Sequence, residues 1–416
     1  MRADAEPPGA APDRSVGEEW DVVVVGAGPA GATAALAALR ERPGARVLLL
    51  DRYDFPRDKA CGDGVAPHTL DVLAGLGVTG LLDDRVPVPD LHLDAGPVAV
   101  TGTMARPALV VPRAALDARL VAAAVAAGAT LRRHRVRTVA TTPDGVVLDG
   151  VVRARVVVAA DGVHSAVRRA VGGGPSGRTA LALRGYAPTR REDRGRQVIR
   201  FGGGRGLGYA WAFDRGDGLA NVGYGETLDP RGGPVPTRAH LLERLDALLP
   251  GAADGATGWR AAHLPLTPAR LPHPRGRVLL AGDAAALVNP LSGEGIYYAV
   301  ASGALAGRVA AAPPPDPGAT YGRALRRLLG RHSATTAGLA RLVDVPGVLP
   351  AAVRAARRDP RVFDALVETA LGPGVPGPRV LGGVLAALAG DRARGRGRVP
   401  EGAVHGTAGP VGGRAR

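Results

Sequence analysis

The stretch WDVVVVGAGPAGATAALAALRERPGARVLLLDR, residues 20–52, constrains the possible fold more than any other part of the chain. Residues 21–25 carry an unbroken valine run, which predicts a strand buried on both faces, as parallel sheets require. Gly26, Gly28 and Gly31 follow at once as G-x-G-x-x-G. An Ala-rich helical stretch comes next, and a second apolar strand at 46–50 ends at Asp51. The three glycines serve different physical ends: a tight turn, backbone approach to a pyrophosphate, and close packing of helix on strand. The helix N-terminus favours phosphate charge, and an acid at the end of the second strand accepts a ribose hydroxyl. The candidate cofactor residues here are Gly26, Gly28, Pro29, Ala30 and Gly31, with Asp51 and Arg52 at the far end. In a chain with 61 glycines a bare motif says little, and a nucleotide-free α/β fold with a Gly-rich turn is the alternative. Strand, motif, helix, strand and acid in this order point to a bound dinucleotide.

The chain has 416 residues, enough for two domains. Its net charge of +15 raises the question of nucleic acid or an anionic surface. The arginines are spread along the sequence without interleaved aromatics, and the one concentrated basic run is DRARGRGR at 391–398. Nucleic-acid binding is therefore not expected, whereas contact with anionic lipid or a diphosphate substrate fits better. No apolar run reaches the roughly 20 residues needed to span a bilayer. The N-terminal residues 1–18 are polar, lack a signal-peptide core and are expected to be disordered, like the tail 391–416. A single cysteine fits a reducing compartment. The expected location is cytoplasmic, with room for peripheral contact with a membrane.

Two later stretches bear on which dinucleotide is bound. RARVVVAADGVHSAVRRAVG, 153–172, runs from a strand into Asp161-Gly162 and a helix; RVLLAGDAAALVNPLSGEGIYYAVASGALAGRVAA, 277–311, runs from a strand into Gly282-Asp283 and then a long small-residue helix. With VPRAALDARLVAAAVAAGA at 111–129, these resemble the further fingerprints of the flavoproteins that include the aromatic hydroxylases. The resemblance implies FAD, with Asp283 on its ribityl chain. It further implies that the helix start around Gly293, Gly295 and Ile296 faces the flavin ring and that Arg113 reaches it. Read alone, Asp283 is a helix cap and Asp161 a turn residue.

Between these segments, residues 176–268 alternate in short runs separated by Gly-rich turns, which predicts antiparallel strands. Aromatics make up only 3% of the chain, yet Tyr209, Trp211 and Phe213 stand at i, i+2, i+4 on one strand face. Core packing is the plain explanation for such a stripe. Here the pattern continues as Y-x-W-x-F followed by Gly223-x-Gly225, and CGDG stands at 61–64. Together with GDAAALVNPLSGEGI, it resembles the geranylgeranyl reductase family over residues 20–310. In that family the C-G-x-G turn (here Cys61 and Gly62) lies beside the flavin and the aromatic strand lines an isoprenoid pocket. Asp214 departs from the family's usual Pro, and the glycines near 202–208 loosen the preceding turn.

The expected fold is α/β: a Rossmann-like FAD-binding domain (19–175 and 269–320), an antiparallel-sheet substrate domain (176–268) and a C-terminal helical region (321–390). The resemblance implies a reductase that saturates double bonds of a geranylgeranyl or polyprenyl chain. Its partners would be an isoprenoid or lipid substrate and an electron donor, NADPH or a reduced ferredoxin. No metal is expected. Tyr209, Trp211 and Phe213 would hold the chain. In RDKACGDG, 57–64, Lys59 is the only lysine and Cys61 the only cysteine. Cys61 is the first candidate for the catalytic proton source and Tyr209 the next, against an inert buried thiol and a stray surface lysine. The alternatives are an FAD-dependent monooxygenase acting on a small or terpenoid substrate, and, from another class, a non-catalytic flavin carrier or lipid-binding protein. A halogenase's W-x-W-x-I-P element is absent.

Overall fold

The valine run and the apolar stretch after the Ala-rich helix pair side by side as parallel strands, β1 (Glu18–Val25) and β2 (Val47–Asp51), joined by α1 (Pro29–Glu41). The computed structural model describes residues 18–173, 177–202, 206–271 and 274–396. In chain order there follow β3 (Gly64–Val65), α2 (Pro67–Gly75), β4 (Val88–Asp94), β5 (Ala99–Val110) and α3 (Arg113–Ala126). Then come β6 (Thr130–Arg133), β7 (Val139–Thr141), β8 (Val146–Leu148), β9 (Val152–Ala159) and α4 (Ala166–Ala170). The middle of the chain contributes β10 (Thr179–Pro188), β11 (Arg196–Gly202), β12 (Gly208–Asp214), β13 (Leu219–Thr227), α5 (Arg238–Leu248) and β14 (Thr257–Pro265). The last strand, β15 (Val278–Leu280), precedes α6 (Ile296–Ala311), α7 (Pro317–Leu342), α8 (Val348–Arg358), α9 (Pro360–Leu371) and α10 (Pro378–Arg396).

The first sheet has the order β6-β2-β1-β9-β8-β7, with β15 also against β9. Its β6, β2, β1, β9 and β15 are parallel, and Val22, Val23 and Val24 of β1 are wholly buried, as a strand covered on both faces must be. On one face α1 and α6 pack closely. A Cβ at Gly303 would fall 2.2 Å from the Ala30 carbonyl oxygen, and one at Gly307 2.1 Å from that of Ala34. Even a methyl group there forces the helices apart, a cost of about 1–3 kcal/mol.

The second sheet runs β14-β10-β13-β12-β11-β4-β5-β3 and is antiparallel except where β11 meets β4. α5 covers one side of it through Leu241 and Leu245. α8, α9 and α10 pack against β4 and β5 around Leu91, Met104, Val362 and Phe363.

The mixed α/β class, the two sheets and the C-terminal helices agree with the sequence reading. The segment boundaries differ. β3, β4 and β5, from residues 64–110, belong to the second sheet, although the sequence pattern places them in the FAD-binding domain. Their partner β11 lies about a hundred residues further on, so no local pattern reveals the pairing. At the ends, β1 already includes Glu18, paired with Val152, and α10 continues to Arg396. The disorder expected at 1–17 and 397–416 lies outside the described residues. Among the described residues no helix is long and apolar enough to cross a membrane.

Candidate active site

The C-terminal ends of β1, β2, β9 and β15 open into a single cavity of about 1460 Å³, roofed by the second sheet. Open α/β sheets bind ligands at this edge. The volume exceeds the ~300–1,000 Å³ usual for one small ligand.

At its floor, Gly26 has a left-handed φ of +96°, and a Cβ there would lie 2.4 Å from the Ala160 carbonyl. A Cβ on Gly31 would fall 1.7 Å from Gly26 O, so Gly31 serves close packing and does not line the cavity. Gly28 differs: its conformation is extended, and a Cβ there would meet no atom nearer than 3.5 Å, facing the guanidinium groups of Arg57 and Arg113. No side chain caps α1 at this end. An uncapped helix start beside two arginines suits a diphosphate. Arg57 and Arg113 are held by Asp117, which is buried and takes two bonds from Arg113 at 2.7 and 2.8 Å and one from Arg57 at 3.0 Å. Asp51 accepts the Ala27 N–H at 2.9 Å and lies 3.4 Å from Arg57. Arg52 is exposed at the rim, its guanidinium 4.8 Å from the Tyr53 ring centre.

Pro29, Ala30, Asp161, Gly162, Asp283, Gly293, Gly295 and Ile296 all border the same cavity. Gly282 lies behind it, its N–H bonded to Ser302 Oγ at 3.0 Å. Asp161 spends one carboxylate oxygen on the Ala166 N–H, while the other is buried without a partner. The open Gly28 face, the uncapped helix, the paired arginines and this orphaned oxygen fit FAD.

The lysine flagged in RDKACGDG has a partner 224 residues away: Lys59 Nζ lies 2.8 Å from Asp283 Oδ2. Burial pushes the Asp283 carboxyl up, but Lys59 and, less strongly, Arg113 outweigh it and hold the group below its ordinary range. The same loop is anchored by Asp58, which bridges Arg184 at 2.5 Å and Arg260 at 2.7 Å.

Tyr209, Trp211 and Phe213 face the cavity from β12, with successive ring centres 5.9 and 6.3 Å apart. The C-G-D-G turn lies against them; a Cβ on Gly62 would touch the Phe213 ring at 3.4 Å. Tyr224 in the neighbouring strand points the other way, into the core under α5. Asp214, where the resemblance leads one to expect Pro, secures the strand's exit by accepting from Gly195 N–H, Gly216 N–H and Thr189 Oγ at 2.7–3.1 Å.

Three residues that sequence reasoning missed tie turn to strand. Asn221 accepts from Trp211 Nε1 at 2.8 Å and donates to the Cys61 carbonyl at 2.8 Å and to Asp63 at 2.9 Å. Tyr186 OH donates to the same Asp63 oxygen at 2.6 Å. Asp63 itself is buried in a left-handed conformation, φ +61°. Burial pushes its carboxyl up to about 6 against the pull of these donors. The one signal for Asn221 was a polar residue set mid-strand in LANVGYG, two positions before Gly223.

Burial pushes the Cys61 thiol up to about 11, partly countered by Arg113. Burial raises the Tyr209 hydroxyl as well, and its proton is engaged by the Ser292 carbonyl at 2.5 Å. Glu294, inside the quoted GDAAALVNPLSGEGI, also borders the cavity. It accepts the Tyr297 N–H at 2.7 Å, and burial raises its carboxyl to about 7 from an ordinary 4.5. A carboxyl raised on folding stabilises fully below its unfolded value and loses that contribution as pH climbs through the folded one. The Glu294 contribution to stability should therefore decline between pH 4.5 and 7. Glu294→Gln, which keeps an acceptor for Tyr297, should flatten the decline by on the order of 3 kcal/mol. Urea unfolding of both proteins in the same flavin-loaded state, at the two ends of that window, checks this. Equal pH slopes would show that Glu294 does not titrate there.

A parallel sheet with this loop, cavity and second sheet defines an FAD-binding oxidoreductase, and the family model described as "FAD binding domain" matches residues 19–192. Menaquinone reductase of Mycolicibacterium smegmatis is 34% identical over 79% of this chain and 85% of its own length. Digeranylgeranylglycerophospholipid reductase 1 of Methanopyrus kandleri is 33% identical over 70% of this chain and 80% of its own. A geranylgeranyl bacteriochlorophyll reductase-like protein from Thermoplasma acidophilum has the same fold: TM-score 0.74 at 20% identity, covering 91% of this chain and 99% of that one. The chain belongs to the geranylgeranyl reductase family of FAD-dependent oxidoreductases.

Proposed function

We propose that this enzyme saturates isolated double bonds in the isoprenoid chain of a lipid or quinone. The observation that carries this reading is the shape of the cavity. Past the cofactor residues, the aromatic face of β12 leads to a wall of aliphatic side chains, among them Leu349, Val353, Leu366, Val384 and Leu388 from α8, α9 and α10. Such a wall suits a long hydrocarbon, whereas a small polar substrate would leave it wet. The names of the relatives, reductases of menaquinone and of an archaeal lipid, support the same class of substrate.

Gly28, Arg57, Arg113 and Asp161 would hold FAD, which in its reduced form would supply the hydride for one alkene carbon. The other carbon needs a proton, which this chain must deliver in a site that excludes water. Cys61 is suited to hold that proton, because a thiol raised to about 11 stays protonated across the neutral range. Trp211, its N–H bound to Asn221, is held in place on the cavity wall. An aromatic wall also favours transient positive charge on carbon. Reducing equivalents come from NADPH or a reduced ferredoxin.

Anaerobic incubation of the reduced protein with prenyl quinones and prenyl lipids, read by mass, tests the proposal. Product heavier by two hydrogens per bond is expected. Substrate-stimulated oxygen consumption with hydroxylated product would instead establish the monooxygenase alternative. In the same assay Trp211→Ala should keep its flavin and lose roughly 10–100-fold in turnover on long chains, as expected when a large ring leaves an apolar pocket. Loss of flavin with chain binding retained would make that strand core and not pocket.

A further inference from the structure

At its outer end the cavity is bordered by leucines that face solvent. Leu342 at the end of α7 is 52% exposed, and Leu381 and Leu385, one turn apart on α10, are 49% and 65% exposed; all three also line the cavity. Val345, in the link between α7 and α8, is 50% exposed and stands beside this border without lining the cavity. The two sides are joined, since a Cβ on Gly347 would touch a Leu388 methyl at 3.8 Å. An apolar patch of this kind around an opening marks a binding surface.

The charge around the patch is mostly positive. Residues 317–359 contain eight arginines and two acids: Asp344, paired with Arg178 at 3.5 Å, and Asp359, paired with Arg379 of α10 at 3.0 Å. On α7, Leu328, Arg331 and Leu342 fall on one helix face by their spacing, with Arg327 and Arg341 beside it, all exposed. Leu342 at the cavity mouth with Arg341 beside it, and Leu328, Arg327 and Arg331 further back along the same helix, match the two parts of an anionic lipid surface, acyl chains and phosphates.

We infer that the face formed by the end of α7, the link to α8, and α10 docks on an anionic phospholipid bilayer and opens the cavity toward its acyl region. The choice of lipid as occupant rests in part on the isoprenoid reading above. A substrate drawn directly from the bilayer would never expose its hydrocarbon to water.

The test uses the full-length, flavin-loaded protein and sedimentation with vesicles of phosphatidylcholine, alone or mixed with phosphatidylglycerol. Wild type should bind the mixed vesicles at least about tenfold more tightly than the neutral ones, and added salt should weaken binding. L381D/L385D should lose roughly tenfold or more in vesicle affinity, because two leucine side chains no longer leave water. Val345→Asp, on a separate element, should act in the same direction. Unchanged flavin content and melting temperature show that the variants are folded. Wild type that ignores vesicles, or variants that bind like wild type, overturns the inference. So does a dimer in solution that the same substitutions dissolve, which would give this face to a second copy of the chain. Binding is read without turnover: vesicle binding without prenyl reduction would keep the surface and remove the isoprenoid reading.

Discussion

Gly28→Val should yield a folded protein that no longer retains flavin. The three glycines of the loop are not equivalent, and Gly28 alone separates folding from binding. Replacing Gly26 strains a φ of +96° and drives a Cβ into the Ala160 carbonyl; replacing Gly31 drives one into Gly26 O at 1.7 Å. Both would disturb the sheet itself. At Gly28 the backbone is extended and the space is open up to the arginine side chains at 3.5 and 3.7 Å. A valine there fits the protein but stands where a diphosphate must approach the start of α1. Hydrogen bonds to a charged group contribute roughly 1.5–3 kcal/mol each. Losing two of them should weaken FAD binding by roughly 10²–10⁴-fold. Protein purified in parallel with wild type should be colourless yet melt like flavin-free wild type. A yellow, fully loaded Gly28→Val protein would put the pyrophosphate elsewhere.

The difference between what the sequence revealed and what it hid follows distance along the chain. The first strand, loop, helix, strand and acid were readable because every residue that gives the motif its meaning lies within residues 20–52. The aromatic face of β12 was readable for the same reason, since alternate residues of one strand share a side. The partners of those residues were not readable. Lys59 stood out as the only lysine, but nothing local says that it meets Asp283. Asn221 looked like one polar residue in a strand; only folding brings it to the Cys61 carbonyl, 160 positions away. The membership of β4 and β5 in the second sheet failed in the same way. Asp214 shows the reverse case. A departure from the expected proline looked like a weak point, and the structure shows a carboxylate replacing proline's rigidity with three hydrogen bonds.

Cys61→Ser should leave FAD affinity and flavin reduction normal while slowing consumption of the double bond by roughly 10²–10⁴-fold, the range typical of a lost general acid. The substitution is nearly isosteric, and the backbone of the turn is held independently of the thiol. The Cys61 carbonyl takes its bond from Asn221, and Gly62 rests on the Phe213 ring. What changes is acidity. A free thiol titrates near ~8.5 and burial moves this one to about 11, whereas a serine hydroxyl is weaker by several further units. The wild-type rate should accordingly stay level across the neutral range, because the thiol keeps its proton until pH nears 11. A structural thiol makes a different forecast: some loss of stability in Cys61→Ser, with reoxidation of the reduced enzyme by alkene little altered. Anaerobic stopped-flow reoxidation isolates that step, and Cys61→Ala removes the acid altogether. If Ser and Ala variants both reoxidise at the wild-type rate, the proton arrives by another route. Tyr209 is then a poor substitute, because its own proton is bound to the Ser292 carbonyl at 2.5 Å. Glu294 becomes the group to replace next, since its carboxyl, raised to about 7, still holds a proton near neutral pH and borders the same cavity.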